Sequence, residues 1–228
     1  MLTKREIVLD TETTGLDPGS GHRVVEIGCL ELVNHLATGR HFHCYLNPER
    51  DMPHEAYRVH GLSSEFLAKH KLFAEVAGEF LAFIEDSPLV IHNAGFDLGF
   101  LNAELARLEQ GPLDPGRAID TVLIARQKFP GAPASLDALC RRYEIDNSAR
   151  TKHGALLDAE LLAEVYLELI GARQTSLALS AAETAPADLD RTSSPRETRP
   201  PRPHAPSSEE RAAHASFLDK IEEPIWRK

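Results

Sequence analysis

Three cysteines in 228 residues leave little room for disulfide or thiolate chemistry. Cys29, Cys44 and Cys140 are odd in number, far apart and without CxxC or Cys/His ligand spacing. They read as small buried hydrophobes of a reducing compartment. No apolar run is long enough to span a bilayer. The start, Met1-Leu-Thr-Lys-Arg-Glu6, leads straight into Ile7-Val8-Leu9 without a signal-peptide core or cleavage site. A cytoplasmic protein with no membrane attachment is expected. A basic excess is also missing: the formal net charge is −10. Residues 173–228 carry nine Lys+Arg and nine Asp+Glu, so the whole acidic excess lies in residues 1–172. This excludes a surface that grips polyanions mainly through Lys and Arg. Nucleic acid stays compatible in two ways: carboxylates that bind divalent cations reverse the local field, or a partner delivers the chain to its substrate.

What is present is a normal globular composition, 42% apolar and 26% charged, with length for one ordinary domain plus extra segments. Residues 5–11 read as a first strand, and 23–33 and 40–47 follow as two more that alternate apolar and polar with turn residues between them, the pattern of an antiparallel meander. From Leu72 to Glu85 the apolar spacing is helical. Leu89-Val90-Ile91 is a short buried strand, Phe96 to Leu108 a helix, and 117–120 a last strand. Helices follow at about 121–128, at 135–143 with Ser135 as N-cap, and at about 154–170 with Gly171 after the C-cap. A meander followed by alternating helices and strands predicts an α/β domain, a mixed sheet with helices on its faces.

Beyond Gly171 the composition changes. Residues 180–208 hold six prolines among Ser, Thr, Ala and Arg, which predicts a disordered linker with a reach of roughly 30 Å. Ser207 or Ser208 with Glu209-Glu210 then signals a helix start. A short helix with Ala212, Ala215, Phe217, Leu218 and Ile221 precedes Ile225-Trp226, the only tryptophan. With no core of its own, this segment reads as an interaction peptide.

The chemistry-bearing residues are acidic. Asp10 and Glu12 stand at positions i and i+2 of the first strand, on one face with Cα atoms about 6.5–7 Å apart, and Thr13-Thr14-Gly15 turns immediately after them. Asp97 falls in the first turn of a helix, where a carboxylate also suits the macrodipole. Asp158 lies inside the last long helix. Five residues of helix rotate about 140°, so His153 shares a site with Asp158 only from the loop or first turn ahead of it. A loop histidine is free to approach when substrate binds.

In order, Asp10-Thr-Glu-Thr-Thr-Gly15, His92-Asn-Ala-Gly-Phe-Asp97 and His153-Gly-Ala-Leu-Leu-Asp158 resemble the three motifs of the DEDDh exonuclease family. Val59-His60-Gly61, Asp120-Thr121 and the stretch Ser135 to Asp146 narrow the likeness to its proofreading branch, the epsilon subunits of bacterial DNA polymerase III. The resemblance covers residues 5–179. It implies a ribonuclease-H-like five-stranded mixed sheet with a flexible C-terminal tail, and 3′→5′ removal of nucleotides from a DNA 3′ end. It further implies two divalent ions, Mg²⁺ or Mn²⁺, on Asp10, Glu12, Asp97 and Asp158, with His153 as general base and Thr13, Val59, His60 and Phe96 around the terminal nucleotide.

Gln174-Thr-Ser-Leu-Ala-Leu179 resembles a sliding-clamp-binding motif, with Gln174, Leu177 and Leu179 as anchors. The terminal segment resembles the one that binds the polymerase catalytic (alpha) subunit. These resemblances imply an exonuclease domain over 1–172, a clamp motif over 173–179, a linker over 180–208 and a polymerase-binding peptide over 209–228. A stand-alone RNA or DNA exonuclease of the same family is the alternative, and it would need neither the clamp motif nor the tail.

Overall fold

The structure is a computed structural model and describes residues 4–148, 150, 152–172 and 205–221. β1 (Arg5–Thr13), β2 (Val24–Val33) and β3 (Leu36–Tyr45) form the expected antiparallel meander. α1 (His54–His60), α2 (Ser64–Leu67) and α3 (Phe73–Ile84) lead to β4 (Leu89–Ile91), which joins β1 in parallel. α4 (Ala94–Arg107) crosses to β5 (Ala118–Asp120), parallel to β4. α5 (Thr121–Lys128), α6 (Leu136–Tyr143) and α7 (Ala155–Leu169) close the domain. The sheet order is β3-β2-β1-β4-β5, the mixed five-stranded sheet expected.

β1 is buried on both faces, so side-chain alternation sorts its residues between two cores. Ile7 and Leu9 point into a core shared with Phe73, Phe80 and Ile84 of α3 and Phe100 and Leu101 of α4. Val8 points the other way, toward Leu139 of α6 and Leu162 and Val165 of α7. By the same alternation Asp10 and Glu12 belong to the α7 side and Thr11 to the α4 side. The β1–β2 register runs evenly from Arg5 to Glu12 and shifts at an irregularity between Glu12 and Thr13.

Several bounds differ from expectation. β3 starts at Leu36, not residue 40, because Asn34 and His35 both take positive φ (51° and 65°) and make a tight hairpin turn. The sequence pair Asn-His lacks the glycine that usually advertises such a turn. α4 begins two residues early, at Ala94, because left-handed Asn93 (φ 67°) starts it. α1 and α2 were not expected, for they show no apolar stripe: His60 and Leu67 are their only buried residues. Ser135 caps α6, its Oγ accepting from the Ala138 amide at 3.3 Å, and Gly171 takes φ +71°, both as read from sequence.

Residues 1–177 and 178–228 form two separate units. In the second, α8 (Ser208–Leu218) opens on a reciprocal capping box. Ser207 Oγ accepts from the Glu210 amide at 3.2 Å, and Glu210 Oε2 accepts from the Ser207 amide at 2.8 Å. Gln174, Leu177, Leu179, most of the expected linker and Ile225-Trp226 lie outside the described residues. Among the described residues, no helix is long and apolar enough to cross a membrane.

Candidate active site

Asp10 and Glu12 reach the end of the sheet from β1, and the helices bring the other acids to them. Asp10 is the register partner of Gly28 on β2. A Cβ on Gly28 would collide with the Ala155 carbonyl and the Leu156 amide, so the missing side chain lets the start of α7 lie on the strand. Asp158 follows in the first turn of α7. On the opposite face, Asp97 Oδ1 accepts from the Thr11 amide (3.0 Å) and the Thr11 hydroxyl (2.7 Å). Thr11 thereby ties α4 to β1 and leaves the second Asp97 oxygen unengaged by that residue.

The strand–helix turn carrying Asp97 is itself held from β5. The Asp120 carboxylate accepts from the amides of Asn93 (3.2 Å), Ala94 (3.2 Å) and Val122 (2.8 Å). It thus caps α4 and α5 together. Thr121 Oγ1 lies 2.9 Å from His92 Nδ1.

Asp10, Glu12, Asp97, His153 and Asp158 all line one cleft of about 310 Å³. Ligand atoms of Glu12, His153 and Asp158 lie within 4.8 Å of one another. His153 sits in the loop before α7, its amide bonded to the Val59 carbonyl at 3.2 Å. A second cavity of about 540 Å³ adjoins, sharing Thr11, Glu12 and Phe96 and walled by Thr13, Val59 and His60. Leu16 and Val59 are 85% and 46% exposed at its rim. Every residue assigned from sequence to the acids, the base and the pocket is therefore at this end of the sheet.

Burial sets the protonation of the acids. Desolvation, followed by repulsion from Asp97, Glu12 and Asp158, raises the Asp10 carboxyl well above its ordinary value. Desolvation, then Asp158 and Glu26, pushes Glu12 up to about 8. Desolvation pushes Asp97 up to about 7 against the opposing hydrogen bonds from Thr11. Burial also acts on Asp158, but the neighbouring His153 and Arg150 outweigh it and hold that carboxyl below its ordinary value. Clustered buried carboxylates that resist ionisation are a donor set lacking its counter-charge, and hard divalent cations prefer all-oxygen donors. The residues present fit such ions.

Sequence reasoning missed Arg150. Its side chain is 8% exposed and its guanidinium spans Asp158, with Nε to Oδ1 at 2.5 Å and Nη2 to Oδ2 at 2.6 Å. Nη1 reaches Asp137 Oδ1 at 2.7 Å, and Nη2 lies 2.8 Å from His153 Nδ1. One arginine in an irregular loop carries no periodicity that would flag it.

The exonuclease (RNase_T) family matches residues 7–166. The DNA polymerase III subunit epsilon of Rickettsia typhi is 59% identical over 179 residues, covering 77% of this chain and 78% of the relative. The chain belongs to the epsilon-subunit family of exonucleases. The Salmonella typhimurium member is 44% identical over 236 residues, spanning 98% of this chain and 97% of the relative. The nuclease domain of 3′hExo, a DEDDh family member solved bound to rAMP, shares the fold. Its TM-score is 0.62 at 16% identity, over 75% of this chain and 93% of that one. Members of this exonuclease family depend on divalent metal.

Proposed function

We propose that this epsilon-family chain is the 3′→5′ proofreading exonuclease of the replicative DNA polymerase, and that it hydrolyses mispaired terminal nucleotides in the cleft where β1, α4 and α7 meet. The observation that carries this reading is the convergence of Asp10, Glu12, Asp97 and Asp158, distant in sequence, with His153 in the same cleft. Asp10, Glu12, Asp97 and Asp158 would hold two divalent ions, Mg²⁺ or Mn²⁺. When bound, such ions supply Lewis-acid charge at the scissile phosphate and a water acidified toward neutrality.

The chain's own groups do the rest. His153 accepts the proton of the attacking water. Thr13, Val59, His60 and Phe96 hold the last nucleotide, and apolar faces accept any base. A mispaired end unpairs at lower cost and so enters more often. The products are a nucleoside 5′-monophosphate and a strand one residue shorter.

Gln174, Leu177 and Leu179 are proposed to dock on the sliding clamp as an extended peptide. Residues 209–228 are proposed to bind the polymerase catalytic subunit. Two observations support the tail's role: similarity to the Salmonella typhimurium relative runs through it, and Phe217 of α8 is 59% exposed.

The test is Asp10→Ala, assayed on single-stranded and 3′-mismatched DNA with circular dichroism as the folding control. Metal-dependent release of nucleoside monophosphate should vanish while the spectrum is unchanged. Appreciable turnover would refute the site, and a marked preference of the wild-type chain for RNA 3′ ends would refute the proofreading role.

A further inference from the structure

Arg150 already does for Asp158 what a cation would do. Both carboxylate oxygens are taken by one guanidinium in a parallel fork, the strongest geometry available to an arginine–carboxylate pair. Both side chains are shut from solvent, 8% and 4% exposed. The same guanidinium meets His153 Nδ1 at 2.8 Å. An arginine only donates, so in this arrangement Nδ1 accepts, and its lone pair is occupied. Asp158 Oδ2 lies 3.2 Å from that same nitrogen. One ring nitrogen cannot accept from Arg150 and donate to Asp158 at once, so the contact with Arg150 excludes the other.

We propose that Arg150 is a placeholder cation: it occupies the cation seat on Asp158 and caps the His153 lone pair, and binding of a divalent ion displaces it and frees both groups together. This rests on the assignment of Asp158 and His153 made above. Asp137 gives the displaced side chain somewhere to stay. Its Oδ1 accepts from Arg150 Nη1 at 2.7 Å and from Asn147 Nδ2 at 3.2 Å, and its side chain is 47% exposed. Arg150 can therefore release Asp158 and keep one partner near solvent. Displacement also makes physical sense of the cluster's charge. Four clustered acids, three of them buried, with no cation would repel one another and destabilise the metal-free fold, and a resident guanidinium offsets this until an ion arrives.

Competition has a sign that a purely structural arginine lacks. If the seat is mostly filled by Arg150, the apparent affinity for metal is reduced by the fraction of molecules in which it is vacant. Free Mn²⁺ can be followed by electron paramagnetic resonance during titration into the metal-free full-length chain. Arg150→Ala should bind Mn²⁺ about tenfold more tightly than wild type. Arg150→Lys, charged but without the fork, should fall between them. Unchanged or weaker binding in Arg150→Ala would overturn the proposal.

A second measurement needs no variant beyond an assignment control. The Arg150 Nε–H resonance, identified by its loss in Arg150→Lys, should shift upfield or disappear when Mg²⁺ saturates the wild-type chain. A resonance that stays in place would also overturn the proposal. Asp158→Asn separates this inference from the assignment beneath it: if that variant binds Mn²⁺ as wild type does, Asp158 is not a metal ligand and the underlying reading fails.

Discussion

Thr11 shows how much a single side chain contributes without touching a substrate. Its amide and hydroxyl both fix Asp97 Oδ1, so it sets which carboxylate oxygen faces the cleft. Groups that orient metal ligands typically affect activity by one to two orders of magnitude. Thr11→Val, which keeps the shape and removes one donor, should lower kcat/KM about 10–100-fold with little change in Tm. Steady-state kinetics on single-stranded DNA checks it, and an unimpaired variant would show that Asp97 needs no such anchor. Thr11 lies inside a recognisable motif, yet only its neighbours were legible there, because the strand period assigns it to the face away from Asp10 and Glu12. Arg150 was harder still. Its role depends on the meeting of a loop with α6 and α7, and nothing local in Asn147-Ser-Ala-Arg150 encodes that meeting.

Among elements, the seating of α7 on β2 decides where Asp158 stands. Gly28 admits the helix start where any Cβ would strike its backbone. Backbone cannot swing aside as a side chain can, so Gly28→Ala must push α7 outward. We expect a loss of about 1–3 kcal/mol in stability, with activity reduced further than the fold as a whole. Chemical denaturation and nuclease assays on the same preparation measure both; an active, fully stable variant would mean that α7 does not need this contact.

Asp120 governs the α4 side. Asp120→Asn keeps the size but replaces one accepting oxygen by a donor facing amides. It should cost about 1–2 kcal/mol, visible as a lower denaturation midpoint. The elements themselves were largely readable. A short apolar run marked β1, alternation marked β2, helical spacing marked α3, and Ser135 and Gly171 marked ends. What escaped was α1 and α2, which ride on the surface, and the true start of β3, set by a turn whose residues do not announce it.

At the scale of the whole molecule, the metal-free protein should respond to pH through its acids. Glu12 is raised from an ordinary 4.5 to about 8, so between these values the folded state holds a proton that the unfolded state has lost. Stability therefore falls as pH rises through that window. His60 and His92 are lowered by burial, and they work the other way at the acid end, where the unfolded imidazoles take up protons. Above about pH 7 that opposing effect is spent, leaving the carboxylates. With a chelator present, Tm should fall by at least about 3 °C from pH 7 to pH 8.5. Glu12→Gln should fall less, and calorimetry of the two together tests the assignment.

The tail is tested at this scale too. Gln174→Ala should weaken clamp binding about tenfold or more without altering activity on short single strands. Deleting residues 209–228 should abolish co-elution with the polymerase catalytic subunit. Retained co-elution would place the tether elsewhere.

The irregularity between Glu12 and Thr13 has a consequence for how this architecture can change over time. An extra or missing residue inside the paired part of the first strand would invert which face each acid beyond it occupies. The break falls just beyond the last acid, so a change there or in the connection after it leaves Asp10 paired with Gly28 and Glu12 with Glu26. The rim of the adjoining cavity can be remodelled while the spacing of the acids is inherited intact.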